Sequence, residues 1–347
     1  MVADRRIKYI IYFFAALSSV IFIIARIHRG EKLFEHHLIP YYGDLYKQNF
    51  IDHFDTLIVE PGTDLTRYYR TDRNPEINEA DLLFYGDSFS FIEYHKTLPE
   101  VIGDSLNKKV YFENLNELGF RNNPFQSLVN YNYTKTEESK FIIYEIGEAA
   151  LFQRFSQPYD VNPGPQYDYK PIIKSISGTE ADMRYTRLMQ TSVFSHNIYS
   201  KIASFKFNQF GYISRHTPYY TLTPEPWLFS FDRVKILQKG PLNELELTKI
   251  VDNIEHMKNE LYRLYNLKLI FVLVPGKSTI YGELVNLKEY NNLLPRIYPI
   301  LDRHDIIYVN LLDEFRKSDK ILYHTTDTHW NNLGIAIAAK KIMQKLN

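Results

Sequence analysis

The chain has 347 residues, enough to bury a full core, and its 45% hydrophobic and 24% charged residues describe a globular protein rather than a disordered one. Forty-one basic residues offset 41 acidic ones, so no net field draws it to nucleic acid. It contains no cysteine, which excludes disulfide scaffolds, thiol nucleophiles and zinc–thiolate sites.

Residues 9–25 (YIIYFFAALSSVIFIIA) carry no charge, a length at the short end of a bilayer span. Arg5, Arg6 and Lys8 precede the run, and Arg26, Arg29 and Lys32 follow it. No small-x-small cleavage site follows, so the expectation is an uncleaved single-span anchor within residues 1–30. Three basic residues on each side leave its orientation unset. Residues 31–78 mix charge, Tyr and Pro without a sustained period and read as a stalk or a wrapping extension.

Ordered patterning begins at Asp81. The apolar run Leu82-Leu83-Phe84-Tyr85 ends at Gly86, as a buried parallel strand does, and a helix is expected to follow it to about Asn107. Further strands are predicted at 109–115 (KVYFENL) and 141–146 (FIIYEI), with a helix opening after Asn123-Pro124. Residues 152–240, rich in Tyr, Pro and Ser, break the alternation and read as an insertion, with a short helix at 181–190. The alternation then returns: a helix over 242–264, a strand at 267–274 (LKLIFVLV), a helix near 284–303, a strand at 306–311 and a last helix over 332–346. Alternating strands and helices predict an α/β fold with a central parallel sheet covered on both faces. The 28 Tyr and 23 Phe serve chiefly the core, and they also suit a groove that stacks on sugar rings.

Ligands of open parallel sheets sit outside the carboxyl ends of the strands, and three pieces fall at such ends, one of them Gly119 after the second strand. Gly86-Asp87-Ser88 follows the first strand; a second copy, Gly103-Asp104-Ser105, sits where a helix should end. Only Ser88 follows an apolar strand, which selects it as the nucleophile, with its own N–H and a helix N-terminus available to an oxyanion. Ahead of the last helix stands Asp327-Thr328-His329: a serine needs an imidazole base, and the imidazole needs a carboxylate to fix its tautomer. Two other readings of this loop stay open, a helix-capping Asp327 beside a satisfied His329, and a metal site from His324, Asp327 and His329. Glu148, at the end of the third strand, is expected either to cap a helix or to orient substrate and pair with Arg154.

Gly86-Asp87-Ser88-Phe89-Ser90 resembles the first block of the SGNH (GDSL-type) hydrolases, and Thr326-Asp327-Thr328-His329-Trp330 resembles their last. The Asp-x-His-Trp form, and Phe271-Val272-Leu273-Val274-Pro275-Gly276-Lys277-Ser278-Thr279-Ile280-Tyr281, are similar to the SGNH-like polysaccharide O-acetyltransferases of the AlgX/AlgJ type. The resemblance covers about residues 79–151 and 242–347. It implies a three-layer, flavodoxin-like SGNH domain over 79–347, with Ser88, His329 and Asp327 as a catalytic triad. It places an oxyanion glycine at Gly119, joined by Ser88 and Asn122, and directs Glu148, Trp330 and Lys277 towards substrate. Two departures stand out. Ser88 precedes the Asp-His pair, whereas in AlgX/AlgJ proteins it follows; and in Gly147-Glu148-Ala149 an Ala stands where the third block normally supplies an Asn after Gly-x. The implied activity is O-acyl transfer, acetyl by family habit, onto an extracytoplasmic polysaccharide, with no metal or organic cofactor. The implied partner is a membrane-bound O-acyltransferase that supplies acetyl groups, and the implied location is the cell membrane with the catalytic domain outside the cytoplasm. A glycan esterase with the same triad and a non-catalytic glycan-binding protein are the alternatives.

Overall fold

The protein is described by a computed structural model covering residues 41–42, 45–46, 51–54, 57–59, 74–90, 96–115, 123–164, 193–223, 225–231, 234, 243–287 and 292–346. The expected anchor, Gly119, Asn122 and the helix predicted at 181–190 lie outside these residues. No helix among the described residues is long and apolar enough to cross a membrane.

In chain order, a small antiparallel ribbon of β1 (Tyr41–Tyr42) and β2 (Leu57–Val59) comes first. Then follow β3 (Leu82–Gly86), α1 (Leu98–Leu106), β4 (Val110–Asn114), α2 (Pro124–Asn130), β5 (Lys140–Gly147) and α3 (Leu151–Phe155). The 152–240 region contributes α4 (Val193–Phe210) and the antiparallel pair β6 (Tyr219–Thr221) and β7 (Trp227–Phe229). The remainder is α5 (Glu244–Tyr265), β8 (Leu267–Val274), α6 (Lys277–Tyr281), α7 (Leu293–Arg303), β9 (Tyr308–Asn310), α8 (Leu311–Lys317) and α9 (Asn332–Leu346).

Five strands form one parallel sheet in the order β4-β3-β5-β8-β9. Because strand side chains alternate between faces, each strand feeds two cores. Leu83, Tyr85, Ile142, Tyr144, Phe271 and Leu273 meet α2, α3, α5 and α7 on one side. Leu82, Phe84, Ile143, Ile270, Val272 and Val309 meet α1, α8 and α9 on the other. The helix after β3 lies on one face and the helix after β4 on the opposite one, so the chain reverses direction of winding beside β3. That reversal opens a crevice at the carboxyl ends of β3 and β5, where a doubly wound sheet accepts ligands.

Local sequence explains the helix limits. Thr97 and Glu100 form a capping box at the start of α1, and Asn107 ends it in the left-handed conformation at φ 50°. Asn243 with Glu246 and the left-handed Asn266 bracket α5 in the same way. The helix expected to reach about Asn107 is present as α1, but it does not open at Ser88: residues 88–90 form a turn. The second Gly-Asp-Ser copy lies inside the last turns of α1, against the amino end of β4 rather than at the carboxyl end of a strand.

The 31–78 stretch is built into the molecule where it is described. Leu45, Tyr46, Ile51 and Phe54 are buried with Phe207 of α4 and Leu228 of β7 in a satellite cluster.

Candidate active site

Ser88 occupies the turn directly after β3 and is half-buried. Asp87 makes that turn. Its Oδ1 accepts from Phe89 N at 3.0 Å, while Oδ2 accepts from Gly147 N at 2.8 Å, tying the turn to the end of β5. Glu145 of β5 supports it from beneath: its Oε2 accepts from Asp87 N at 3.1 Å and from the Ser90 hydroxyl at 2.5 Å. Gly86 is required by this closeness, since a Cβ there would stand 2.5 Å from Ser90 Oγ and 2.9 Å from Glu145 Oε2. Glu145 is fully buried, and burial first, then the charge of Asp87, pushes its carboxyl well above the usual carboxylate range. Arg154, also buried, has Tyr144 and Asp87 as electrostatic partners below the same turn.

The second half of the site is a hairpin-like loop over 322–331. Tyr323 bridges to Trp330, His324 N donates to His329 O, and Asn331 N donates to Leu322 O. Asn331 then caps α9 by accepting from Leu333 N and Gly334 N. The loop packs so tightly on α9 that a Cβ at Gly334 would sit 2.7 Å from both Leu322 O and Trp330 Cβ. Within it, Asp327 is completely buried, and its Oδ1 accepts from His329 Nδ1 at 2.6 Å and from His329 N at 2.9 Å. The imidazole is therefore oriented by a carboxylate that water does not reach, while His329 itself stays partly exposed.

The two halves are joined through the neighbours of the proposed triad. Trp330 Nε1 donates to Phe89 O at 2.8 Å, and the Phe89 ring meets the His329 ring edge-on with centroids 5.1 Å apart. Ser88 is thus one residue from the ring that rests against the histidine. Beside them lies a cleft lined in part by Phe89, Gly147, Glu148, Phe229, Lys277 and Thr328.

Of the three residues that the resemblance directs towards substrate, Lys277 and Glu148 line the cleft and Trp330 does not. Trp330 is fully buried, so its indole belongs to the core and to the Phe89 clasp rather than to a ligand surface. Lys277 lines the cleft, yet its ammonium donates to Leu228 O (2.8 Å), Thr325 O (2.7 Å) and Asp327 O (3.0 Å), matching the three N–H groups it has. It also stands over the Trp227 and Phe229 rings. Glu148 opens the short helix after β5, as expected, and its Oε2 accepts from Gly276 N and Thr279 Oγ1. That contact joins the ends of β5 and β8 at the cleft wall.

Among the described residues, the His/Asp/Glu group whose ligand atoms converge within 4.8 Å is Asp252, Glu255 and His304, on α5 and at the end of α7. His324, Asp327 and His329 do not form such a group. Sequence reading overlooked Glu145, although one acidic residue within the apolar strand FIIYEI was a usable signal. It also left out Phe89, whose role depends on His329 and Trp330 some 240 residues on, and Phe229, which meets Lys277 across 48 residues.

Residues 222–347 match the family model of the SGNH hydrolase-like domain of the acetyltransferase AlgX. No curated protein and no solved structure matches the chain. The chain therefore resembles the AlgX-type SGNH proteins over its C-terminal part, which holds Lys277, Asp327, His329 and Trp330. The match starts inside the expected insertion and leaves out 79–151, where a resemblance was also expected. Its starting point agrees with β7, whose Leu228 O receives Lys277 and whose Leu228 N donates to Thr325 O.

Proposed function

We propose that this protein is a serine-dependent O-acyltransferase that moves an acyl group, acetyl by resemblance, onto a polysaccharide hydroxyl outside the cytoplasm. The observation that carries the reading is the Asp327–His329 pair, 2.6 Å apart, locked through Trp330 and Phe89 against the turn that bears Ser88. The similarity of residues 222–347 to the acetyltransferase AlgX domain supports the reaction class.

In this reading the Ser88 hydroxyl attacks the donor's acyl carbonyl and His329 accepts its proton, with Asp327 stabilising the imidazolium. The oxyanion is met by the Ser88 N–H with Gly119 and Asn122. Collapse expels the donor's leaving group, which takes the proton from His329, and leaves an acyl ester on Ser88. A sugar hydroxyl then enters, gives its proton to His329 and takes the acyl group; the Ser88 Oγ–acyl bond breaks and His329 returns the proton to Ser88 Oγ. Lys277 and Trp330 position the Asp327 loop, and Glu148 with Phe229 shapes the cleft. The acyl donor is supplied by a membrane-bound O-acyltransferase partner. The chemistry needs no metal or organic cofactor.

Mass spectrometry after incubation with an activated acetyl ester tests this. The expected result is one acetyl adduct on Ser88, absent from Ser88→Ala and retained in Ser105→Ala, that discharges faster when oligosaccharide is added. Discharge equally fast in water alone replaces transferase by esterase. An adduct that survives Ser88→Ala overturns the assignment of the nucleophile.

A further inference from the structure

A helix on a protein surface normally turns one apolar stripe inward and a polar face outward. α4 departs from this. Phe207 is buried in the satellite cluster, with Ala203 half-buried beside it. On the outer side Ile202 is 49% exposed, Phe205 60% and Phe210 76%, and Tyr212, just past the helix end, is 64% exposed. Phe205 and Phe210 pack edge-to-face on each other, with centroids 6.1 Å apart. Four large apolar side chains gathered at one end of a helix form a patch that calls for a partner.

Charge indicates which one. From Met183 to Pro224 the sequence contains no Asp or Glu, yet carries Arg184, Arg187, Lys201, Lys206 and Arg215, in a chain whose 41 acidic residues balance 41 basic ones. Lys201 and Lys206 are exposed on the patch, flanking Ile202 and Phe205 in the helical projection, and Arg215 is exposed just beyond. The Lys206 ammonium lies 5.8 Å from the centre of the Tyr212 ring. Apolar tips with lysines at their sides suit a layer that is hydrocarbon below and anionic above, because the lysine stems lie along apolar surface while the heads reach phosphate.

We propose that the outward face of α4, with Tyr212, docks on the anionic headgroup layer of a lipid bilayer. The uncharged run at 9–25 is the sequence feature that holds a bilayer within reach. The docked satellite also bears on the site: Leu45 belongs to its core and lines the cleft, and Tyr46 N donates to Thr326 O, next to Asp327. The inference is independent of the acyl-transfer reading, since it concerns lipid contact and not turnover.

The absence of cysteine permits a clean test on the full chain. Phe210→Cys is labelled with an environment-sensitive fluorophore, and Tyr262→Cys on α5, which is 53% exposed, provides the comparison. Each protein is reconstituted in phosphatidylcholine vesicles with and without phosphatidylglycerol, using lipids with brominated acyl chains as the quencher. The expected result is a blue-shifted emission at 210 that the brominated chains quench in anionic vesicles, with neither effect at 262. Adding Phe205→Glu to Phe210→Cys should abolish both effects without moving the unfolding midpoint, because Phe205 is exposed. No lipid quenching at 210 overturns the proposal. So does shielding of the label from aqueous iodide without lipid quenching, which would assign the face to a protein partner or a second copy. Equal quenching in neutral vesicles overturns the charge argument.

Discussion

At the residue scale, Glu145 ties the turn that carries Ser88 to pH. It is fully buried, it accepts from Asp87 N and Ser90 Oγ, and burial with the nearby Asp87 holds its carboxyl well above the normal range. The folded protein therefore keeps a proton that the unfolded chain loses near the ordinary glutamate value of about 4.3. Between that value and the raised folded one, the native state binds more protons, so raising the pH favours unfolding. Glu145→Gln mimics the protonated form and cannot ionise. Its stability relative to wild type is expected to rise with pH by about 1.4 kcal/mol per unit within that window. Denaturant unfolding of both proteins at pH 5 and pH 8 checks this, and parallel curves would show that Glu145 is ionised in the fold. The same contacts make Glu145 a positioning residue for Ser88, so the variant should keep the adduct-forming reaction.

At the scale of elements, the Thr325–His329 loop is held by groups from three directions. Tyr46 N reaches Thr326 O, Leu228 N reaches Thr325 O, and Lys277 bridges Thr325 O, Asp327 O and Leu228 O. Lys277→Met removes the charged donor and leaves buried carbonyls unmatched, at an expected cost of about 2–4 kcal/mol. Since Asp327 sits on that loop, the rate of acetyl-adduct formation at Ser88 should fall with it, whereas a surface change such as Lys317→Met should affect neither. An unaltered unfolding free energy together with an unaltered rate would remove Lys277 from this role. The elements themselves were largely legible. All five sheet strands and α9 lie where apolar runs and periodicity put them; the inner β3, β5 and β8 are the plainest, because a strand covered on both faces is apolar nearly throughout. The Asp327-x-His329 pairing was legible too, as its spacing is local. The Lys277 staple was not: a lysine after a strand looks ready for an anionic ligand, and only the arrival of β7 and the 322–331 loop surrounds it with carbonyls. The turn at 88–90 is not legible for a similar reason, since Asp87 closes an Asx turn with Phe89 and locks to Gly147, far along the chain.

At the scale of the whole molecule, what matters is where the cleft stands relative to a membrane. Two separate stretches of sequence bear on this: the uncharged run at 9–25, and the acid-free region that contains α4. A chain tethered by the first and docked through the second holds its cleft close to the bilayer, within reach of a membrane-bound acyl donor. The proposed function requires the side of the membrane on which the polysaccharide lies, and the flanking charges of the run do not choose it. We therefore expect the full chain to remain in the membrane fraction after high-salt washing, because an apolar span is not held by charge and salt does not release it. A C-terminal tag should be digested when protease is added to intact spheroplasts, as residues 30–347 would lie outside. Replacing residues within the run by charged ones, for example Phe13→Lys with Ile21→Lys, should shift the protein to the soluble fraction, since each lysine at the centre of a span costs about 2.5–3.5 kcal/mol. A tag protected in sealed cells but digested after lysis would place the cleft in the cytoplasm. The extracytoplasmic polysaccharide would then no longer be a tenable acceptor, even if Ser88 still forms its acetyl ester.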